Sequence, residues 1–176
     1  SGTGIGLKWD YIIIHETGHE WFANNITAKD QADMWIHESF ATYSETLYVE
    51  SLWGKADGDK YTQGIRNNIQ NDKAIIGQYG VRNEGSGDMY PKGSNMIHTI
   101  RTVINNDEKF RQILRGLNKD FYHQTVTSEQ IQNYFIEKSG VDLKSIFDQY
   151  LRTAKIPTLE YKQKGNQLTY KWTNVI

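Results

Sequence analysis

The sequence predicts a mainly α fold that ends in a short C-terminal β-hairpin. Only two prolines, Pro91 and Pro157, occur in 176 residues, and the segments before and between them show several long patterns of helical period. After Pro157 the apolar residues alternate with polar ones, which is the period of a strand. We therefore expect a helical body over residues 1–156 and a hairpin over residues 157–176.

Start and stop signals divide the helical body into segments in chain order. The predicted helices cover 8–25, 34–53, part of 57–80, 91–105, 108–122, 128–139 and 142–153, with a loop at 83–88. Proline is tolerated in the first turn of the helix at 91. The boundary signals are Asp33 and Asp107 as N-caps, Thr127 with Gln130 as a capping box, and Gly54 and Gly140 as terminators.

The hairpin is predicted from two alternating runs joined by a turn. Leu159 and Tyr161 alternate with polar residues before the turn at residues 164–166, and Leu168, Tyr170 and Trp172 alternate after it. A lone hairpin is marginally stable in water. We therefore expect residues 157–176 to be the start of a following β domain that is truncated here.

Composition excludes several classes of function. Lys plus Arg number 20 and Asp plus Glu number 21, and no basic stripe is present, so nucleic acid is not an expected partner. Cysteine is absent, which excludes disulfides, thiolate ligands and a cysteine nucleophile. The longest apolar run, residues 11–14, is far shorter than the roughly 20 residues of a spanning helix, so no transmembrane segment is predicted. These features leave the compartment open, and an extracytoplasmic location in a bacterium is the favoured expectation.

The pattern that carries chemistry is HExxH, at residues 15–19. Residues four apart on a helix lie one turn above each other, so the imidazoles of His15 and His19 can reach one metal ion. Glu16 lies one step round the helix, where it can reach a water on that metal and act as general base. The competing interpretation is a surface helix that happens to carry two histidines and an acid.

A hydrolytic zinc site needs a third protein ligand and an open position for water. A metzincin would place glycine and histidine three and six residues after His19, where this chain has Phe22 and Asn25. A thermolysin-like site would place Asp four residues after the ligand Glu, where this chain has Thr42. The remaining candidate is Glu38, which follows His19 after 18 intervening residues.

At this point residues 15–45 resemble the alanyl aminopeptidase and leukotriene hydrolase family of gluzincin zinc metallopeptidases. That family combines HExxH, 18 residues and Glu with Trp-Phe-x-Asn after the second His and Trp-x-x-Glu-Gly-Phe-Ala around the ligand. The chain departs at Gly18, at His37 where Asn is usual and at Ser39 where Gly is usual, and no departure removes a ligand. It matches at Trp21, Phe22, Asn24, Trp35, Glu38, Phe40 and Ala41.

The resemblance implies a fold, a cofactor and an activity. The fold is the helical half of a thermolysin-like (gluzincin) catalytic domain, over residues 1–156, with one zinc ion per chain on His15, His19 and Glu38. Tyr90, in a run that resembles the family's Tyr-x-Lys-Gly, is implied to stabilise the oxyanion of the tetrahedral intermediate. The implied activity is zinc-dependent hydrolysis of peptide substrates, with an aminopeptidase that removes N-terminal residues as the expected type.

Two alternatives stay open: a thermolysin-like endopeptidase, and a non-catalytic scaffold in which zinc only joins two helices. The family's amine-binding Gly-x-Met-Glu-Asn strand does not occur in this chain, so the exopeptidase assignment comes from the resemblance alone. We expect the chain to pack on N-terminal and C-terminal domains missing here. Alone, it should be a weak or inactive enzyme that tends to self-associate.

Weaker candidates surround this set. Glu45, seven residues after Glu38, falls on the same helix face and is a candidate to orient a ligand imidazole. His37 lies roughly 100° round the helix from Glu38 and is not expected to share its metal. His98 and His123 are expected to be packing or surface residues.

Overall fold

A computed structural model describes residues 3–176 and confirms a mainly α fold with a C-terminal antiparallel hairpin. Within these residues the helices are α1 (Tyr11–Gly18), α2 (Trp35–Trp53), α3 (Lys55–Ile65), α4 (Pro91–Ile104), α5 (Asp107–Asp120), α6 (Ser128–Ser139) and α7 (Lys144–Leu151). The strands are β1 (Ile26–Ala28), β2 (Gln124–Val126), β3 (Thr158–Lys164) and β4 (Gln167–Thr173). No described helix is long and apolar enough to span a bilayer.

The terminators and the capping box lie where they were predicted. Thr127 accepts from the backbone of Gln130, whose side chain accepts from the Thr127 N–H, so the first turn of α6 satisfies two of its free donors. Gly140 follows α6 with φ of 71°, a left-handed conformation that glycine adopts without steric cost. Gly54 separates α2 from α3 with φ of 91°.

The two predicted aspartate caps are wrong. Asp33 lies in a 3₁₀ turn before α2, is buried, and accepts hydrogen bonds from Ser128 and Tyr79 instead of capping a helix. Asn106 caps α5, one residue before the predicted Asp107. The Asp33 carboxylate is used by partners distant in sequence, which no local capping rule detects, and the Asp107 carboxylate accepts from Arg101 in the preceding helix.

The first predicted helix is shorter than expected. α1 ends at Gly18, and Glu20–Asn25 forms a turn with non-helical backbone angles at Phe22 and Ala23 that leads into β1. β1 pairs in parallel with β2, about a hundred residues later in the chain. Strands of three residues are too short to show an alternating pattern, so this pair was not predicted.

Helix α2 is the centre of the packing, because it contacts α1, α3 and α4. Its buried aromatic residues Trp35, Phe40 and Tyr43 belong to the main hydrophobic core. Burial of a large apolar side chain stabilises a fold by about 1.5–3 kcal/mol. The helix is therefore held firmly on several sides, and with it any functional residue that it carries.

The hairpin has one apolar face. Its register pairs Leu159 with Trp172 and Tyr161 with Tyr170, which places these four side chains on the same side, and all four are largely exposed. The turn contains Gly165 at φ of 60°. The predicted hairpin is thus confirmed, and its membership of a following β domain stays a prediction.

Candidate metal centre and catalytic site

The predicted metal ligands come from two helices that pack closely. A Cβ on Gly18 would lie 3.2 Å from the Cα of Ala41 and 3.3 Å from the Cβ of Ser44, so the residue next to His19 allows α1 to approach α2. This contact brings His15 of α1, and His19 directly after that helix, opposite Glu38 of α2.

The three side chains converge on one point. His15 Nε2 lies 3.1 Å from Glu38 Oε2, and His19 Nε2 lies 3.4 Å from the same oxygen. One ligand atom from each residue can be chosen so that all lie within 4.8 Å of one another. Tetrahedral coordination with bonds of about 2.0–2.2 Å places ligand atoms roughly 3.3–3.6 Å apart, so the donor set fits a zinc ion.

Both imidazoles are oriented by their other nitrogen. His15 Nδ1 lies 2.9 Å from Glu45 Oε1, and His19 Nδ1 lies 3.1 Å from the carbonyl oxygen of Phe22. Because carboxylate and carbonyl oxygens accept, the Nδ1 atoms carry protons, which would leave the Nε2 lone pairs free to bind a metal ion at the centre. The Glu45 carboxylate, which the sequence made a candidate to orient a ligand imidazole, therefore lies within hydrogen-bond distance of His15.

The Glu45 carboxylate is itself held by a third residue. Its Oε2 accepts a hydrogen bond from the Tyr61 hydroxyl, and both residues are buried. Burial and the negative charge of Glu45 raise the pKa of Tyr61, so the phenol stays a donor. Tyr61 was not singled out from the sequence, because it lies in the weakly periodic segment 57–80 and no motif marks it.

The surroundings of His15 favour positive charge. Burial opposes its charged form, but hydrogen bonds and the negative charges of Glu38 and Glu45 outweigh burial and raise the pKa of His15 to about 9. The same two carboxylates that hold a proton here can hold a cation in its place.

Glu16 and Tyr90 share a cavity of about 620 Å³ with the three ligands. The Tyr90 ring stacks beside that of His15, with a centroid distance of 5.8 Å. Burial and the nearby carboxylates of Glu38 and Glu84 raise the pKa of Tyr90 to about 12, so its phenol is protonated at neutral pH and can donate a hydrogen bond. Further lining residues are Tyr11, Ile12, Thr42, Glu45, Tyr61, Ile65, Asn68 and Pro91.

The other histidines lie apart from this centre. His37 Nε2 accepts from the backbone N–H of Ala28 at 2.7 Å, and burial lowers the pKa of His37, so its neutral form holds β1 against α2. His98 packs beside Tyr43, and His123 is exposed. None of the three joins the ligand cluster.

Comparison with known proteins identifies relatives of this chain. Residues 7–150 match the model described as the peptidase family M1 domain. Aminopeptidase N of Lactococcus lactis is 28% identical over 162 residues, which are 84% of this chain and 19% of that protein. The chain thus spans about a fifth of the length of this curated relative.

Two solved structures share the fold. A mutant M1 zinc metallopeptidase from Deinococcus radiodurans, bound to a Tyr-Ser-Ala substrate, superposes with a TM-score of 0.72 at 22% identity, covering 85% of this chain and 34% of that one. Yeast LTA4 hydrolase in complex with bestatin superposes with a TM-score of 0.66 at 17% identity, covering 84% of this chain and 27% of that one. At these identities the structures support the fold alone.

Proposed function

The chain belongs to peptidase family M1, and from that premise we propose that it carries the zinc-dependent catalytic centre of an aminopeptidase that removes N-terminal residues from peptides. The observation that carries the proposal is the placement of His15 Nε2, His19 Nε2 and Glu38 Oε2 around one point. A His₂Glu set with an open cavity side is a donor set of catalytic zinc sites.

Zinc on these ligands supplies Lewis acidity toward the scissile carbonyl and acidifies water. In the proposed mechanism the Glu16 carboxylate, on the cavity wall, accepts a proton from the attacking water and later donates it to the leaving amine. The protonated Tyr90 phenol donates a hydrogen bond to the oxygen that becomes negative. Glu45 and the Phe22 carbonyl keep the imidazoles in the required tautomer.

The relatives support the proposal of an exopeptidase over that of an endopeptidase. Aminopeptidase N is the name of the Lactococcus relative, and the Deinococcus structure was determined with a short peptide substrate. A scaffold role is disfavoured, because a metal that only joins two helices needs neither a general base nor a phenol facing it.

The test is hydrolysis of an amino-acid aryl amide by the full-length protein, compared with the same amide carrying an N-acetyl group. We expect turnover of the free amine only, loss of activity on chelation, and recovery with about one equivalent of zinc. Efficient cleavage of blocked internal peptide bonds would favour the endopeptidase instead. Full activity after metal removal would refute the metallopeptidase assignment.

A further inference from the structure

The residue after Glu38 contacts the turn that carries Tyr90. Ser39 is fully buried, and its Oγ donates a hydrogen bond of 2.7 Å to the carbonyl oxygen of Met89. Glu38 ends the first turn of α2 and Ser39 follows it, and Met89 directly precedes Tyr90. This hydrogen bond thus links the helix of the acidic metal ligand to the segment of the phenol.

The accepting carbonyl belongs to the peptide unit of Tyr90. The Met89 oxygen lies in one rigid plane with the nitrogen and Cα of Tyr90, because the peptide bond is planar. Fixing this oxygen restrains rotation of the plane from which the Tyr90 side chain starts. A shift of the Tyr90 backbone relative to α2 therefore requires this hydrogen bond to bend or break.

The Ser39 side chain also has little room to turn. A Cβ on Gly93 would lie only 1.9 Å from Ser39 Oγ and 2.8 Å from Ser39 Cβ. The hydroxyl is thus packed against the backbone of α4, three residues after Tyr90. Close packing on one side and a short hydrogen bond on the other hold the hydroxyl in one orientation.

We propose that Ser39 is a positioning residue that holds the Tyr90 phenol in register with the metal ligands. This inference rests on the proposed function, since it assigns Ser39 a role through Tyr90. Glycine, which is usual at this position in the family pattern, has no hydroxyl to make the bond. This chain therefore has a connection between α2 and the Tyr90 turn that a glycine-bearing relative must replace or lack.

The kinetic test is Ser39→Ala in the full-length protein, alone and combined with Tyr90→Phe. Alone, Ser39→Ala should lower kcat by about 3- to 10-fold with KM and zinc content unchanged, as for loss of one hydrogen bond. In the Tyr90→Phe background, Ser39→Ala should cause no further loss of kcat. The effects of two substitutions do not add when both residues act through the same group. Ser51→Ala is the matched control, since the Ser51 hydroxyl donates to the Tyr48 carbonyl in its own helix, away from the site.

A spectroscopic readout is independent of catalysis. In the full-length protein labelled with 3-fluorotyrosine, the Tyr90 resonance is identified as the one missing in Tyr90→Phe. Ser39→Ala should shift or broaden this resonance and leave those of distant tyrosines unchanged. Ser39→Gly, with the residue usual in the family, is a second variant with the same expected result should Ser39→Ala fold poorly.

The outcomes separate the two proposals. An unmoved Tyr90 resonance, or a loss of kcat that adds in full to that of Tyr90→Phe, would overturn the role of Ser39. If Tyr90→Phe itself left kcat unchanged, the assigned chemistry of Tyr90 would fail, and the fluorine spectrum would still decide whether Ser39 holds the phenol.

Discussion

At the scale of single residues, the site gives each polar atom of the two ligand histidines one partner. The Nδ1 atoms bond to Glu45 and to the Phe22 carbonyl, and the Nε2 atoms face Glu38. Because each ring nitrogen of these two histidines has its own partner, another histidine of the chain could not take over the role of either. This arrangement also separates the residues that we propose to bind metal from those that we propose to act on the substrate, which leads to two predictions.

The first prediction concerns metal binding. His19→Ala in the full-length protein should lose most of its zinc, because two remaining ligands rarely hold zinc against buffer. Metal analysis after gel filtration measures the zinc content per chain, expected to be about one in the parent protein. His123→Ala, at an exposed histidine, is the control and should keep the metal. One zinc per chain in His19→Ala would contradict the ligand assignment.

The second prediction separates binding from chemistry. Glu16→Gln should retain zinc and the folded structure but lose about 10²–10⁴-fold in kcat, because an amide cannot accept the proton from water. Zinc analysis and steady-state kinetics on an aryl amide measure the two effects side by side. Glu20→Gln, four residues further along the chain, is the control with expected normal activity. Parallel loss of zinc and activity in Glu16→Gln would show that Glu16 is a ligand or a structural residue.

At the scale of elements, glycines set the distances between the helices that form the site. Gly18 lets α1 approach α2, and Gly93 lets α4 approach α2 at Ser39. The ligands and the phenol all lie near these contacts. The spacing of three helices, rather than any one side chain, thus determines whether the site residues meet.

The third prediction tests the contact between α2 and α4. Gly93→Ala should lower the free energy of unfolding by about 1–3 kcal/mol, since its Cβ would overlap Ser39 and the two helices must separate. The double variant Gly93→Ala with Ser39→Gly should recover much of this loss, because the nearest remaining atom, the Cα of residue 39, lies 3.6 Å away. Urea denaturation of the single and double variants measures the coupling.

The control for this pair is Gly87→Ala. An added Cβ at Gly87 meets no atom within 4 Å, so stability should change little. If the double variant were as unstable as Gly93→Ala alone, the overlap with Ser39 could not be the cause of the loss.

At the scale of the whole molecule, an ion-pair network around the buried Arg101 joins three helices. Arg101 of α4 is buried and bonds to both carboxylate oxygens of Glu50 on α2, at 2.6 and 2.9 Å, and to Asp107 at the start of α5, at 2.8 Å. Hydrogen bonding to Arg101 lowers the pKa of Glu50 below its ordinary value of 4.5. The network therefore makes the stability of the whole fold depend on pH.

The fourth prediction follows from the sign of this shift. A carboxyl group whose folded pKa is depressed contributes stability above its unfolded pKa, and loses it as the pH falls through the folded pKa. Glu50→Gln should lower the free energy of unfolding by about 1–3 kcal/mol at pH 7, because buried Arg101 keeps Asp107 as a partner but loses the Glu50 carboxylate. The difference from the parent protein should shrink as the pH falls below about 4.5.

Urea denaturation at a series of pH values measures this difference. Glu137→Gln, at an exposed glutamate paired with Lys138, is the control and should show no such trend. A difference between Glu50→Gln and the parent protein that is constant from pH 7 to pH 3 would contradict the role of the charge.

The fifth prediction concerns the chain of 176 residues on its own. It should bind zinc but be a poor peptidase, because a misplacement of substrate by about 1 Å already costs 10²-fold and the amine-binding strand of the family is not in this sequence. Its exposed apolar residues, including Ile13 of α1 and Tyr161 and Tyr170 of the hairpin, should promote self-association. Sedimentation velocity, with an aryl-amide assay beside the full-length protein, measures both. Turnover comparable with that of the full-length protein would show that the chain already holds a complete site.

The features that the sequence alone determined about this protein depend on nearby residues. HExxH places two imidazoles on one helix face, and the capping box starts α6. The two-residue period after Pro157 predicts a hairpin. Each of these features follows from the spacing of residues along the chain. The structure agrees with each of them. The membership of Glu38 in the same cluster came from the spacing known in the family, and the geometry brings it to the two histidines.

Only the tertiary structure decided the features that join distant parts of the chain. Asp33 looks like a helix cap and instead bonds to Ser128, 95 residues away. Tyr61 carries no motif and yet holds the carboxylate behind His15, and Ser39 differs from the usual family residue by a hydroxyl whose acceptor, at Met89, lies 50 residues later. The physical reason is the same in each case, since a buried polar atom must find a partner, and which partner is near depends on how the helices pack.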